Sequence, residues 1–218
     1  IHKDIRQDIR DKTALHEIIQ NHQPEIIFHL AAQPLVRLSY QIPHETYGTN
    51  VMGTVNLLEA ARNASSVRAM VLITSDKSYE NKEWVWGYRE NDTLGGIDPY
   101  SSSKAASEII IQAYSRSFFC GQDKEQPVGI ASARAGNVIG GGDWAKDRII
   151  PDCIRSLQNN QPIGVRNPSS TRPWQHVLEP LFGYLMLGYY LYRDPKSFSG
   201  AWNFGPDYHS IQPVKKIV

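Results

Sequence analysis

Short apolar runs alternate with longer stretches of helical period along the first 134 residues, and few folds accept that order. The runs cover 25–30, 69–74 and 127–134; residues 12–22, 47–62 and 98–119 read as helices. Strand and helix signals taken in turn mark an α/β protein with a doubly wound parallel sheet. In the second helical stretch Val51, Val55 and Leu58 fall on one face. The third opens on Asp98-Pro99, an N-cap carboxylate followed by a proline at the first helical position. A polar, aromatic loop over 80–96 precedes it. Beyond Gly136 the alternation weakens. Glycines at 140–142 mark a loop, 147–159 a helix, 162–165 a short strand, 177–193 a helix and 201–204 a late strand. Pro180 fits because it lies in a first helical turn. A smaller lobe is expected to begin near Gly140 and to interleave with the last strand.

The 218 residues suffice for one well-cored domain with a small lobe. A content of 41% apolar and 21% charged residues is ordinary for a globular protein and argues against disorder. The net charge of +1 gives no reason to expect nucleic acid as a partner. Cys120 and Cys153 lack metal-site spacing and read as free thiols in a reducing compartment, an isolated disulfide being the alternative. No metal site is expected. No basic segment followed by an apolar core opens the sequence, so no signal peptide is read. The longest greasy stretch, 181–192, has about twelve residues where a membrane helix needs roughly twenty. The expectation is a soluble cytoplasmic protein, away from membranes, that acts on a small molecule.

Two clusters carry the chemistry. Ser75-Asp76-Lys77 closes a strand-like run, and Tyr100 and Lys104 stand four residues apart near a helix start. Residues so spaced sit one above the other, about 5–6 Å between Cβ atoms. An ammonium is thereby set beside a phenol and favours the phenolate. A free tyrosine keeps its proton to about pH 10, so such help lets it act as a base near neutrality. The Ser75 hydroxyl could complete a relay that takes a proton from a sugar alcohol while a cofactor removes the hydride. The chemistry suggested is alcohol oxidation. Any amphipathic helix can carry Tyr and Lys at this spacing; Ser75 at the end of the preceding strand sharpens the signal.

In this order, Asp8 to Asp11, His29 to Gln33, Thr49 to Thr54, Thr74 to Tyr79, Tyr100 to Lys104, Arg134 to Asn137 and Arg172 to His176 resemble the extended short-chain dehydrogenase/reductases, specifically the nucleotide-sugar 4,6-dehydratases. The likeness covers essentially the whole sequence. Lys77 stands where relatives acting on dTDP- and GDP-sugars have Glu, and is similar to members acting on CDP-glucose. Residues 134–144, 166–168 and 172–177 look like the same members. The resemblance implies a partial, Rossmann-type NAD-binding domain over 1–139 and, mainly over 140–218, a nucleotide-sugar substrate lobe. The family opens on a first strand and a glycine-rich loop whose N–H groups hold a pyrophosphate. No such loop occurs here: Gly48 and Gly53 lie in a helical pattern, and the glycines at 140–142 come far later. The sequence is therefore expected to be a fragment that begins near the end of the third strand, with NAD bound by the complete protein.

The resemblance further implies a hydro-lyase of deoxysugar and O-antigen biosynthesis that turns CDP-glucose into a 4-keto-6-deoxy sugar nucleotide. Carbon 4 is oxidised, water leaves across carbons 5 and 6, and the hydride returns to carbon 6. Tyr100 would be the base for the carbon 4 hydroxyl, Lys104 its electrostatic partner and a ribose contact, and Ser75 the bridge. Asp76 would protonate the departing carbon 6 hydroxyl and Lys77 would take the carbon 5 proton. A solvated Asp-Lys pair in a strand-end turn would read the same. Asp8 and Ile9 would meet the adenine, Leu30, Ala31 and Ala32 would let NAD lie against a strand end, and Thr49 would add a hydroxyl. A solvated residue, a core residue, a buried strand end and a helix surface are their plain counterparts. His29 reads as a satisfied core histidine.

Asn137, Arg148, Ile149, Pro151, Val165, Arg166, Asn167 and Arg172 would frame the nucleotide and its diphosphate, the arginines as forked donors. For each arginine singly, a surface salt bridge is the ordinary explanation. The loop with Trp84, Trp86 and Tyr88 either closes over the sugar or packs in the core. Two other readings stay open: a nucleotide-sugar 4-epimerase, which lacks an acid and a base at 76 and 77, and a non-catalytic NAD-sensing protein. Relatives imply a homodimer or higher homo-oligomer of the full-length protein, through the helices over 47–62 and 98–119.

Overall fold

Where the sequence is most continuously apolar, the chain forms the inside of a sheet. The computed structural model describes residues 2–120 and 127–218. In it β1 (Ile26–His29), β2 (Ala69–Ile73) and β3 (Gly129–Ala135) are neighbouring parallel strands, with Ile26 opposite Ala69 and Ala69 opposite Gly129. β2 is buried along nearly its whole length, as suits a parallel strand covered on both faces. A fourth strand, β7 (Gly200–Phe204), lies beside β3. The order β1-β2-β3-β7 follows the Rossmann-type α/β plan.

The longer helices fall where the periodicity predicts, two of them with a change of phase, while the short helices over 36–41, 43–47 and 195–198 were not expected. Ahead of β1 runs α1 (Lys12–His22), capped by Asp11, whose carboxylate accepts from the Ala14 N–H at 3.0 Å. Between β1 and β2 lie α2 (Val36–Gln41), α3 (Pro43–Tyr47) and α4 (Gly53–Arg62); α5 (Pro99–Tyr114) joins β2 to β3. Ile19 of α1, Leu57, Leu58 and Ala61 of α4, and Met70, Leu72 and Ile130 of the sheet belong to one core cluster. Each large member contributes about 1.5–3 kcal/mol by its burial. The expected helix over 47–62 is interrupted by a π-helical turn, Gly48–Met52. That wider turn shifts the helical phase, so Leu58 is buried while Val51 and Val55 are only half-buried. A second π turn, Ser115–Phe119, finishes α5. Gly53 lets the N-terminal segment come close: a Cβ there would lie 2.8 Å from Ile9 Cγ2.

The described residues divide into two compact units, the first ending at Arg134 and including Tyr184–Asn203, the second made of Ala135–Gly183 and Phe204–Val218. In the second, β4 (Val138–Ile139) pairs in parallel with β6 (Gln175–His176), and β5 (Thr171–Pro173) pairs antiparallel with β8 (Ile211–Pro213). Trp174 is buried and donates from Nε1 to the Gln212 carbonyl at 3.0 Å. Residues 162–165, expected as a strand, form no ladder. Ile163 and Val165 are half-buried and Pro162 and Gly164 exposed, which imitates strand alternation, but a proline offers no N–H to a ladder. The remaining helices are α6 (Ile149–Gln158), α7 (Leu178–Arg193) and α8 (Pro195–Phe198).

Candidate active site

Thr74 extends the ladder of β2, donating its N–H to the Ala133 carbonyl at 2.9 Å, and the chain then turns. Ser75 makes the turn. Its Oγ accepts from the Lys77 N–H at 3.2 Å and donates to Asp76 Oδ1 at 3.0 Å, capping the 3-10 turn Asp76–Ser78. Such local side-chain bonds offer the backbone a way out of the sheet. Beyond the turn, Tyr79 bridges to Leu94 and the Gly95 N–H donates to the Ser78 carbonyl at 2.9 Å. The aromatic loop is thereby closed at its base. Trp84 and Trp86 are exposed, while Tyr88 stacks on Tyr79 with ring centroids 5.0 Å apart.

α5 begins where Asp98 accepts from the Ser101 N–H at 2.9 Å and from Ser101 Oγ at 2.6 Å. Gly96 lets the loop pass this helix end, since a Cβ there would fall 2.3 Å from the Ser101 carbonyl carbon. The Tyr100 N–H, one of the first-turn donors a helix leaves over, goes to Ser39 Oγ at 3.2 Å. α5 packs against the Asp76–Ser78 turn. Tyr100 and Lys104 are 8% and 5% exposed, and Ser75 is 7% exposed. Lys104 Nζ donates to the Ile73 carbonyl at 3.2 Å. Burial pulls Lys104 down from 10.5 to about 8, against the upward pull of the Glu108 charge. His29, at the end of β1, is buried with its Nε2 3.2 Å from Thr54 Oγ1. Burial first, and then the Lys104 charge, hold it down to about 4, so the ring is neutral at pH 7. Asp76 and Lys77 form an ion pair at 3.5 Å, their side chains 37% and 41% exposed. The fold thus sets a serine, a phenol and an amine in the protein and an acid–amine couple at the rim.

Three polar residues of this region were given no role from the sequence. Glu108 and Arg134 form an ion pair at 2.7 Å with both side chains fully buried. Arg134 Nη1 donates to Tyr79 OH at 2.7 Å and to the Glu90 carbonyl at 3.0 Å, tying β3 to the aromatic loop. Glu108 lies one turn beyond Lys104, and Arg134 is a cation within a strand of small and apolar residues. Each was a detectable anomaly, because such charges are seldom buried unpaired. Asn50, in the first π turn, accepts from the Gln33 N–H at 2.8 Å and donates to the Gln33 carbonyl at 3.1 Å and to Ser103 Oγ at 2.9 Å. It fastens the segment after β1 to α5.

That segment holds the residues expected to meet the cofactor. Leu30 and Ala31 are exposed and Ala32 is half-buried, an apolar ledge at the carboxyl end of a parallel strand, where open α/β sheets hold ligands. These residues fit a dinucleotide. Thr49 is half-buried in the π turn. Ile9 lies against α4, and Asn56 Nδ2 donates to the carbonyls of Ile9 and Arg10. Asp8 is exposed; hydrogen bonds from the Arg10 side chain and N–H hold its carboxyl down to about 2.

The residues expected to bind substrate belong to the second unit. Arg148 caps α6, followed by Ile149 and the buried Pro151. Arg148 Nε, 3.4 Å from Asp143 Oδ2, and Asn137 Oδ1 are buried and make no hydrogen bond among the described residues. Arg166 pairs with Asp147 at 3.0 Å. Asn167 and Arg172 are exposed, and Val165 is half-buried. Among the described residues no group of three or more His, Cys, Asp or Glu could hold a metal ion.

The chain matches the family described as GDP-mannose 4,6 dehydratase over residues 2–187. It is 58% identical over 212 residues to a CDP-glucose 4,6-dehydratase of Salmonella typhimurium, covering 97% of this chain and 59% of that protein. To a dTDP-D-glucose 4,6-dehydratase of Dictyostelium discoideum it is 25% identical, over 97% of this chain and 48% of that one. The chain thus spans about half to three-fifths of the length of these relatives. Among solved structures, MoeE5 in complex with UDP-glucuronic acid and NAD superposes with a TM-score of 0.80 at 25% identity, over 99% of this chain and 66% of that one. The dTDP-glucose 4,6-dehydratase DesIV of Streptomyces venezuelae, a double mutant with NAD and DAU bound, shares the fold at a TM-score of 0.77 and 22% identity, over 92% and 57%.

Proposed function

The chain belongs to the GDP-mannose 4,6-dehydratase family, and from that premise we propose that it carries the chemistry of a CDP-glucose 4,6-dehydratase, a hydro-lyase dependent on NAD. One observation carries the reading: α5, which carries the buried Tyr100 and Lys104, packs against the turn that Ser75 caps and that holds Asp76 and Lys77. The 58% identity to a CDP-glucose enzyme supports cytidine diphosphate as the leading nucleotide.

Asp8, Ile9, Leu30, Ala31, Ala32 and Thr49 would hold NAD, with Tyr100 and Lys104 at its reactive end. When bound, NAD supplies a hydride acceptor that later gives the hydride back. Tyr100, supported by the Lys104 ammonium and bridged by Ser75, takes the proton of the carbon 4 hydroxyl. The ketone so formed acidifies carbon 5, whose proton passes to Lys77. Asp76 protonates the carbon 6 hydroxyl, which leaves as water. Lys77 then returns its proton to carbon 5 as carbon 6 receives the hydride, giving a 4-keto-6-deoxy sugar. Asn137, Arg148, Ile149, Pro151, Val165, Arg166, Asn167 and Arg172 are assigned to the nucleotide. Support comes from Asn137 Oδ1, a buried atom that makes no hydrogen bond among the described residues and that a polar ligand would satisfy. The proposed setting is the cytoplasm and the proposed state of the full-length protein a homodimer or higher homo-oligomer.

The test is a product assay on the complete protein with CDP-, dTDP-, UDP- and GDP-linked hexoses. CDP-glucose should give a product one water lighter that absorbs strongly in the near ultraviolet in alkali. A product of unchanged mass, epimerised at carbon 4, would refute the dehydratase in favour of an epimerase. Turnover only with another nucleotide would refute the substrate.

A further inference from the structure

Glu108 is a fully buried carboxylate that the proposed chemistry leaves unused. Its Oε1 accepts from the Thr74 hydroxyl, and its Oε2 accepts from Ser132 Oγ at 2.8 Å and from Arg134 Nη2 at 2.7 Å. One turn earlier, Lys104 donates to the Ile73 carbonyl. Two side chains of α5 therefore hold the two residues that lead directly into Ser75. Moving a carboxylate out of water is costly, and the Arg134 guanidinium paired with it offsets part of that cost. The negative charge has its own use. Lys104 is a buried cation, desolvation works to strip its proton, and the Glu108 charge opposes that loss.

We propose that Glu108 is a positioning residue of this site, holding the end of β2 against α5 and keeping the Lys104 ammonium charged one turn from Tyr100. The inference rests on the reading of Tyr100 and Lys104 as the base for a sugar alcohol. The other charged or titratable groups near Lys104 do not replace Glu108. His29 of β1 is neutral at pH 7. Asp76 and Lys77, on the turn packed against α5, are paired with each other near solvent. Arg37, His44, Glu45 and Arg62 on the helices that pack on α5 are exposed, and Glu59 pairs with Arg62.

The test is a titration of Lys104 by NMR of the chain labelled with carbon-13 at lysine Cε, the signal assigned by Lys104→Arg. In Glu108→Gln the midpoint should fall by roughly one pH unit or more, the usual effect of losing a close opposite charge. Thr74→Val, which removes a hydrogen bond and keeps the charge, should leave it in place. If Glu108→Gln does not fold, the Glu108→Gln/Arg134→Met double variant, which leaves no unpaired charge at 108 or 134, takes its place, with a fall in the same direction expected. An unchanged or raised midpoint in the folded variant overturns the proposal, whatever sugar the protein acts on. A lowered midpoint in a protein that oxidises no sugar nucleotide refutes the dehydratase reading and leaves the Glu108–Lys104 link standing.

Discussion

Asp76 and Lys77 lie as an ion pair, while the elimination needs the same proton on the other partner, a neutral acid beside a neutral amine. The two states carry the same net charge and differ by one proton moved between groups 3.5 Å apart. Water favours the ionic form, and a sugar that excludes water favours the neutral one. Lys77→Met should therefore leave carbon 4 oxidation detectable and slow water loss by about 10²–10⁴-fold, the usual worth of a general base. Mass spectrometry of product and solvent-deuterium exchange at carbon 5 would show it; undiminished turnover would remove Lys77 from its role. His29 gives a second, purely thermodynamic expectation. Its proton affinity falls from 6.5 in the open chain to about 4 in the fold, so between those values the unfolded state binds more protons. Its contribution is whole above pH 6.5, shrinks as pH drops toward 4, and is level below that. The loss amounts to about 3 kcal/mol. Urea titrations at pH 7.5 and pH 4 should show a smaller acid loss in His29→Gln than in the parent; equal losses would mean the ring is not held neutral.

At the level of elements, α5 is the part that matters most, and its start was plain in the sequence. Asp98 and Pro99 announce the cap and first turn, so Tyr100 and Lys104 could be set on one helix face before any coordinates. β2 was equally legible, because a run of buried apolar residues has few other uses. What could not be read depends on partners distant in sequence. The π turn at Gly48–Met52 leaves no periodic signature, and it split the face expected for Val51, Val55 and Leu58. Pro162 to Val165 alternates like a strand yet has no neighbour to pair with. Glu108 and Arg134 lie 26 residues apart, and only the closed sheet makes them a pair. That pair is expected to anchor α5 to β3. Glu108→Gln or Arg134→Met alone should each lower stability by about 3–5 kcal/mol, since each strands a buried group. The double change should cost clearly less than the sum, and chemical denaturation of the three variants checks it. Additive losses would mean the two side chains act independently.

For the whole molecule, a net charge of +1 supplies little self-repulsion, and no helix among the described residues is long and apolar enough to cross a membrane. The proposed dimer would use the helices over 47–62 and 98–119, which leave Met52, Ile109 and Phe118 exposed. Ile109→Glu should shift sedimentation toward the monomer with the circular dichroism unchanged; a parent already monomeric would dismiss the contact. The sheet has a consequence of its own. β2 is laddered on both sides, by β1 and by β3, and its residues, Ile73 apart, are buried. Its amides should therefore be among the last to give up their hydrogen to heavy water, and early exchange along 69–73 would mean that the strand opens on its own.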